Sequence, residues 1–182
     1  LREQGIKESI VNLKKILSSE YTTTYKIYLT KIKDILQSEG KKRMFKKMRD
    51  ENLSFEEVIN SREYFLTIID LWVFANYFKI PILLISFKTM NYGDGNYEIL
   101  YKNPDNMTSY VIKPSSMSYI GRDKTSLYPE YSVILDKEER SFMDISKLTG
   151  DVYENFSRLY EREEEEEGEL LNAYLNSYRL KN

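Results

Sequence analysis

The chain has 182 residues and contains neither histidine nor cysteine, so it lacks the commonest general base and the thiolate nucleophile. Hydrolysis by a serine–histidine–aspartate triad or a cysteine–histidine pair is therefore excluded for these residues alone. Hydrophobic residues make up 41% and charged residues 31% of the chain, and the net charge is −2. This balance predicts a packed core under a charged surface and excludes a chain that is basic throughout.

Neither a membrane span nor a signal peptide is visible in the sequence. No apolar run approaches the ~18 residues that a membrane span needs, so we predict no membrane partner. Because the first residue is Leu1 rather than Met, we expect the chain to be a piece of a longer protein. The lack of cysteine fits a reducing compartment, and we therefore expect an intracellular location.

Apolar spacing predicts helices at the start of the chain. Residues 1–17 carry one helical stripe and residues 25–36 carry a second. Threonines at positions 22–24 offer an N-cap for the second helix, and Gly40 follows that helix as a C-terminal glycine. A third helical segment, at 41–50, is strongly basic.

A capping box predicts the next helix. Ser54 and Glu57 have the spacing at which each side chain accepts a hydrogen bond from the other residue's backbone N–H. We expect the short helix that they start to end near Ser61.

The centre of the chain predicts a buried helix over about 67–78. Thr67 is placed to cap it, and Asp70 lies three residues later, at the positive end of the helix dipole. Because this helix is apolar on nearly every face, we expect it to be buried, with Trp72 and Phe74 in or near the core.

A region of strands follows. The continuous apolar run at 80–87 is typical of a strand covered on both faces. Further strands are predicted at 97–101, 109–113 and 131–135, with a turn at 91–96 and an ordered loop at 114–130. After Asp136 we expect the chain to return to helix.

The C-terminal part is acidic. Residues 161–169 are rich in glutamate, which should keep them solvated, and the apolar stripe at 170–178 predicts an amphipathic helix. The predicted fold is α+β, with N-terminal helices packed on a small central β-sheet and a helix at the C-terminus. We assign residues 1–145 to an α/β core and residues 146–182 to a helical, acidic extension.

Several stretches stand in an order that has a counterpart in a known family. Leu1, Arg2 and Glu3 open the chain, an aromatic segment at 64–67 leads to Asp70, Leu71 and Trp72, and the apolar run at 80–85 follows. Glu130 and Tyr131 then lead into a strand. In this order the chain resembles the ovarian-tumour (OTU) family of papain-related cysteine proteases, especially the divergent versions found in large DNA viruses.

The resemblance implies a papain-like core that has lost catalysis. The nucleophile would lie before Leu1, and Glu130 stands where the family has its histidine. A carboxylate is ionised at neutral pH and is a poor proton acceptor and donor for a thiol. The resemblance therefore predicts no catalytic residue in this chain, and the sequence favours the simpler interpretation of Glu130 as an exposed loop carboxylate.

The basic segment at 41–49 is the candidate binding element. Lys42, Lys46 and Arg49 fall on one helical face, where contact with phosphates or an acidic protein is physically possible. An exposed helix face in a charge-rich protein often has the same pattern. If the basic segment and the acidic run at 161–169 lie apart on the surface, they set up a dipolar field that orients a partner.

Three functional hypotheses result. The first is a non-catalytic interaction or assembly module of a larger, viral protein, in the host cytoplasm or the virion, with a ubiquitin-like or viral structural protein as partner. The second is the C-terminal part of an OTU-like deubiquitinase whose cysteine lies upstream. The third is a nucleic-acid-associated structural protein that uses the basic helix. The sequence predicts no cofactor and no metal site, since the loop at 93–96 lacks the further spaced ligands of a calcium site.

Overall fold

The computed structural model describes residues 1–85, 97–114 and 130–147. They divide into two compact units, one formed by residues 1–70 and the other by the described residues from 71 onward. The fold is α+β, as the sequence predicts, with helices in the N-terminal part and a small mixed sheet of five strands.

The described helices follow the predicted order. They are α1 (Ile10–Thr22), α2 (Leu29–Leu36), α3 (Lys42–Asp50), α4 (Phe55–Asn60) and α5 (Ile68–Tyr77). Short 3-10 turns lie at Arg2–Gln4, Lys26–Tyr28 and Ile145–Lys147, and a kinked segment with π-helical hydrogen bonds, Gln37–Lys41, joins α2 to α3.

The prediction of a helix over 1–17 is wrong in its bounds. Gly5 adopts a left-handed conformation with φ 73° and ends the first short turn, and α1 begins only after Ser9. The Ser9 hydroxyl caps α1 by accepting a hydrogen bond from the Asn12 N–H at 3.2 Å. Ile10, which the apolar stripe placed on the buried face, is 74% exposed because it lies in the first turn of a helix that starts later than expected.

The threonine cap predicted for α2 is also wrong. The hydroxyls of Thr22 and Thr23 donate to the backbone carbonyls of Ser18 and Ser19, one turn back in α1. A threonine at a helix end bonds its own preceding turn as readily as it caps a following one. Gly40 does adopt a positive φ of 102°, although it lies inside the kinked segment rather than directly after α2.

The helix starts predicted for α4 and α5 are confirmed. The Ser54 hydroxyl accepts from the Glu57 N–H, and the Glu57 carboxylate accepts from the Ser54 N–H. In the first turn of α5 the Asp70 carboxylate accepts from the Thr67 N–H at 2.8 Å. Trp72 and Phe74 are buried, as expected for a helix that is apolar all round.

The five strands form one sheet. They are β1 (Ile82–Ile85), β2 (Tyr97–Tyr101), β3 (Thr108–Pro114), β4 (Tyr131–Val133) and β5 (Phe142–Asp144). The order is β2-β1-β3-β4, and β5 also pairs with β3. β1 and β3 run parallel and the other pairs are antiparallel. A cluster of apolar side chains from β1, β3 and the β5 region forms the core of this unit: Leu83, Ile85, Val111, Met143 and Ile145.

The helix expected directly after Asp136 is not formed. The Asp136 carboxylate accepts hydrogen bonds from the N–H groups of Glu138 and Arg140 and from the Arg140 guanidinium, which closes a tight turn. Glu139 has a positive φ of 60°. The Asp136 carboxylate thus supplies the backbone with hydrogen-bond partners that a helix would otherwise provide. The chain therefore turns back and forms β5.

Other predictions fall outside the described residues. They concern residues 86–87, the turn at 91–96, the loop at 115–129, the acidic run at 161–169, the stripe at 170–178 and most of the proposed extension at 146–182.

Candidate functional site

The predicted binding residues lie together on the exposed face of α3. Lys42, Lys46 and Arg49 are all exposed, and a helix carries residues four and seven positions apart on the same side. Phe45, which is three residues after Lys42 and four before Arg49 and so lies beside this face, is 3% exposed and contacts the ring of Phe55 from α4, with ring centroids 6.0 Å apart. The three cations therefore lie along the edge of the face by which α3 packs on α4.

The three cations are not neutralised locally. Within the described part of the chain, Lys42, Lys46 and Arg49 form no ion pair. Their neighbour Lys47 differs, since its ammonium lies 4.0 Å from the Glu63 carboxylate. The face spans about 10 Å along the helix axis, at ~1.5 Å per residue.

A small cleft lies beside α3, but it is not a substrate pocket. Its volume is about 30 Å³, and it is lined by Met44, Lys47, Leu53, Val58, Ser61 and Glu63. Small-molecule sites commonly enclose roughly 300–1,000 Å³. This cleft is therefore too small to enclose a metabolite.

A buried charge cluster lies at the start of α3. Lys41, which the sequence grouped with the exposed basic residues, is fully buried. Its ammonium lies 2.8 Å from the Asp70 carboxylate and also donates to the Thr67 hydroxyl. The same ammonium lies over the rings of Tyr64 and Phe65, at 4.8 and 5.2 Å from their centroids. These contacts compensate for the water that Lys41 loses on burial.

Asp70 is the acceptor at the centre of the cluster. The hydroxyls of Tyr21 and Tyr64 both donate to its Oδ1 at 2.7 Å. Its Oδ2 accepts from Lys41 at 2.8 Å, from the Thr67 N–H at 2.8 Å and from the Thr67 hydroxyl at 3.1 Å. Both oxygens of this fully buried carboxylate are therefore well supplied with donors.

The second carboxylate of the cluster, Glu39, is not supplied in this way. Both of its oxygens are buried and neither accepts a hydrogen bond of good geometry. Burial raises the pKa of the Glu39 carboxyl from 4.5 to about 7, and the negative charge of Asp70 adds to the rise. The Lys41 ammonium, the Thr67 hydroxyl and the Ile69 N–H lie close enough to lower this pKa, but they only partly offset the burial.

The two tyrosines remain hydrogen-bond donors. Burial, followed by the charge of Asp70, raises the pKa of Tyr21 and of Tyr64 well above 10. Both hydroxyls are therefore protonated at neutral pH. The cluster combines groups with shifted pKa values, as active sites often do, but its members are closed off from solvent and point at one another.

Glu130, the residue at the position that resembles a catalytic histidine, is exposed and lies directly before β4. It is far along the chain from the buried cluster and belongs to the other compact unit. The structure therefore brings together Lys42, Lys46 and Arg49 on one helix, and Glu130 belongs to the second unit.

Sequence reasoning missed the roles of Glu39 and Lys41. One feature of the sequence pointed to them: Asp70 is a lone carboxylate near the start of a helix that is otherwise apolar on every face. A buried carboxylate needs a cation or several donors, so a lysine from elsewhere in the chain was required.

Comparison with known proteins identifies no relative. No family model, no curated protein and no solved structure matches the chain. In the described residues no helix is long and apolar enough to cross a membrane, and no group of three or more acidic side chains is placed to hold a metal ion.

Proposed function

We propose that this chain is a non-catalytic interaction module that binds an acidic surface of a partner protein through the exposed face of α3. The observation that carries the proposal is a set of cations on one face of that helix that form no ion pair with another described residue, Lys42, Lys46 and Arg49. The lack of histidine and cysteine in these residues supports a role without catalysis.

The energetics favour steering over tight binding. Each exposed ion pair contributes roughly 0.2–1 kcal/mol, and salt screens it. Three such pairs give at most about 3 kcal/mol, or roughly a hundredfold in affinity. The basic face therefore sets the association rate and the orientation of the partner more than the final affinity.

The resemblance to the OTU family narrows the proposal. It suggests an assembly module within a larger, viral protein in the host cytoplasm or the virion, with a ubiquitin-like or viral structural protein as the partner. The apolar helix α5 and the buried strand β1 follow one another in the order on which the resemblance rests. A longer chain that includes the residues before Leu1 tests the rival hypothesis, because only a live deubiquitinase reacts with a thiol-trapping ubiquitin probe.

The test compares two triple charge reversals. In the first, Lys42, Lys46 and Arg49 are changed to Glu. In the matched control, three exposed lysines elsewhere in the same unit are changed to Glu: Lys7, Lys15 and Lys26. Both variants change the net charge equally, so any difference between them reports the position of the charges.

Binding is measured by fluorescence anisotropy with two probes, a Glu-rich helical peptide and a short DNA duplex. We expect the α3 reversal to weaken peptide binding by up to roughly a hundredfold and the control to weaken it about twofold. Equal losses in both variants would show that only net charge matters, which contradicts the proposal. Tighter binding to the duplex, with a salt slope of about −0.9 per phosphate contacted, would favour the nucleic-acid hypothesis instead.

A further inference from the structure

The segment that joins α2 to α3 has the geometry of a hinge. Within Gln37–Lys41 the helical conformation breaks at Glu39 (φ −79°, ψ 15°) and at Gly40 (φ 102°, ψ 0°). A positive φ is readily adopted only by glycine. The direction of α3 therefore depends on two consecutive residues, and one of them is the buried carboxylate of the charge cluster.

The next residue anchors the hinge. Lys41 is bonded to Asp70 and Thr67 at the start of α5, so the first residue of α3 directly follows a fixed point. Glu39, on the other side of Gly40, is aimed into the same buried cluster, but its oxygens lack hydrogen-bond partners of good geometry. Of the two titratable side chains beside Gly40, Lys41 thus has hydrogen-bond partners of good geometry and Glu39 has none.

We propose that Glu39 is a proton-operated latch, which holds the α2–α3 hinge closed when its carboxyl is protonated and loosens it when the carboxyl ionises. The latch would regulate the presentation of the basic face of α3, and to that extent it rests on the function proposed above.

The charge balance of the cluster explains the direction of the switch. The titratable or charged groups that face Glu39 are Lys41, Asp70, Tyr21 and Tyr64. With Glu39 protonated, the Lys41 ammonium and the Asp70 carboxylate balance one another. Ionisation of Glu39 adds a second negative charge, which the Lys41 ammonium, the Thr67 hydroxyl and the Ile69 N–H offset only in part. Rotation about Gly40 then offers the carboxylate a route to water, which removes the cost of its burial.

The expected change in hinge opening with pH follows from its linkage to the ionisation of Glu39. The pKa of Glu39 is about 7 when the latch is closed, against 4.5 for an exposed carboxyl. Between about pH 5.5 and about pH 8.5, the ratio of open to closed hinge should rise by about 30-fold. Because the chain contains no histidine, no imidazole titrates in this interval.

Hydrogen exchange of backbone amides tests the proposal. Exchange rates of peptides from 37–50 are divided by the intrinsic rates at each pH, so that the remaining change reports opening. We expect wild-type protection in this segment to fall by about 30-fold over the interval, and the Glu39→Gln variant to show no such fall. Asp34→Asn, which removes an exposed carboxylate just before the hinge, should behave like the wild type.

Three outcomes would overturn the latch. They are a wild-type segment whose protection does not change with pH, an equal fall in Glu39→Gln, and hinge amides as strongly protected as those of α1 at both pH values, which would mean that only global unfolding exposes them. These readouts involve no partner. A failed latch therefore leaves the binding test of the charge reversals intact, and a failed binding test leaves the exchange result intact.

Discussion

Burial of Glu39 should make the stability of the first unit depend on pH in an unusual direction. Its pKa rises from 4.5 to about 7 on folding. Between these values the folded state holds a proton that the unfolded state has lost, so the free energy of unfolding falls as pH rises. Most carboxylates in folded proteins act in the opposite direction.

The magnitude follows from the two pKa values. At ~1.36 kcal/mol for each tenfold step, the difference between 4.5 and about 7 corresponds to about 3 kcal/mol once Glu39 is fully ionised. Over the interval from about pH 5.5 to about pH 8.5, about 2 kcal/mol of this should be lost. The pKa values of Glu57, Asp136 and Asp144 are lowered, so the stability that these groups contribute is lost only at more acidic pH.

Urea unfolding at both pH values measures this loss. Far-UV circular dichroism is the suitable signal because the single tryptophan, Trp72, belongs to the second unit. We expect wild type and Asp34→Asn to lose about 2 kcal/mol between the two pH values and Glu39→Gln to lose little. A wild-type stability that stays constant or increases with pH would refute the reasoning, as would the same loss in Glu39→Gln.

Three further substitutions, one of them with a control, have calculable effects. Lys41→Met should cost about 3 kcal/mol in urea unfolding, the low end for a broken buried pair, because Asp70 keeps its other donors; no loss would contradict the role of the anchor. Trp72→Ala should cost ~3–5 kcal/mol, while Tyr77→Ala, at a side chain 47% exposed, should cost far less. Gly40→Ala should lower the melting temperature by the equivalent of about 1 kcal/mol, because alanine is strained at a φ of 102°; a neutral effect would mean that the hinge tolerates another conformation.

The sequence predicted those parts of the fold that depend on local signals. The capping box of Ser54 and Glu57, the start of α5 at Thr67 and the burial of Trp72 all follow from a few adjacent residues. The start of α1 was missed although its signals were also local. Gly5 ends the first short turn and Ser9 caps α1, but the apolar spacing predicted one helix that continues through both residues.

The parts that the sequence did not predict depend on long-range contacts. Phe142 and Met143 pair with β3, more than thirty positions earlier in the chain, and only that pairing makes a strand of a segment that was expected to be helical. The candidate site likewise has one part that the sequence predicts and one part that it does not. The shared face of Lys42, Lys46 and Arg49 follows from helical periodicity, whereas the burial of Lys41 depends on a partner 29 residues away.

Burial of the charged groups in this cluster costs free energy that an apolar core would not lose. This indicates that the cluster contributes by fixing the positions of the elements around it. A well-packed apolar group often stabilises a core as much as a buried ion pair does, yet here Asp70 engages donors from α1, from the hinge and from the start of α5. Such a network is satisfied in only one arrangement of its elements. Because Lys42 directly follows Lys41, that arrangement also sets the direction in which the basic face of α3 meets solvent. Glu39 lies two residues before Lys41, so ionisation of its carboxyl disturbs this network at the kink from which α3 begins.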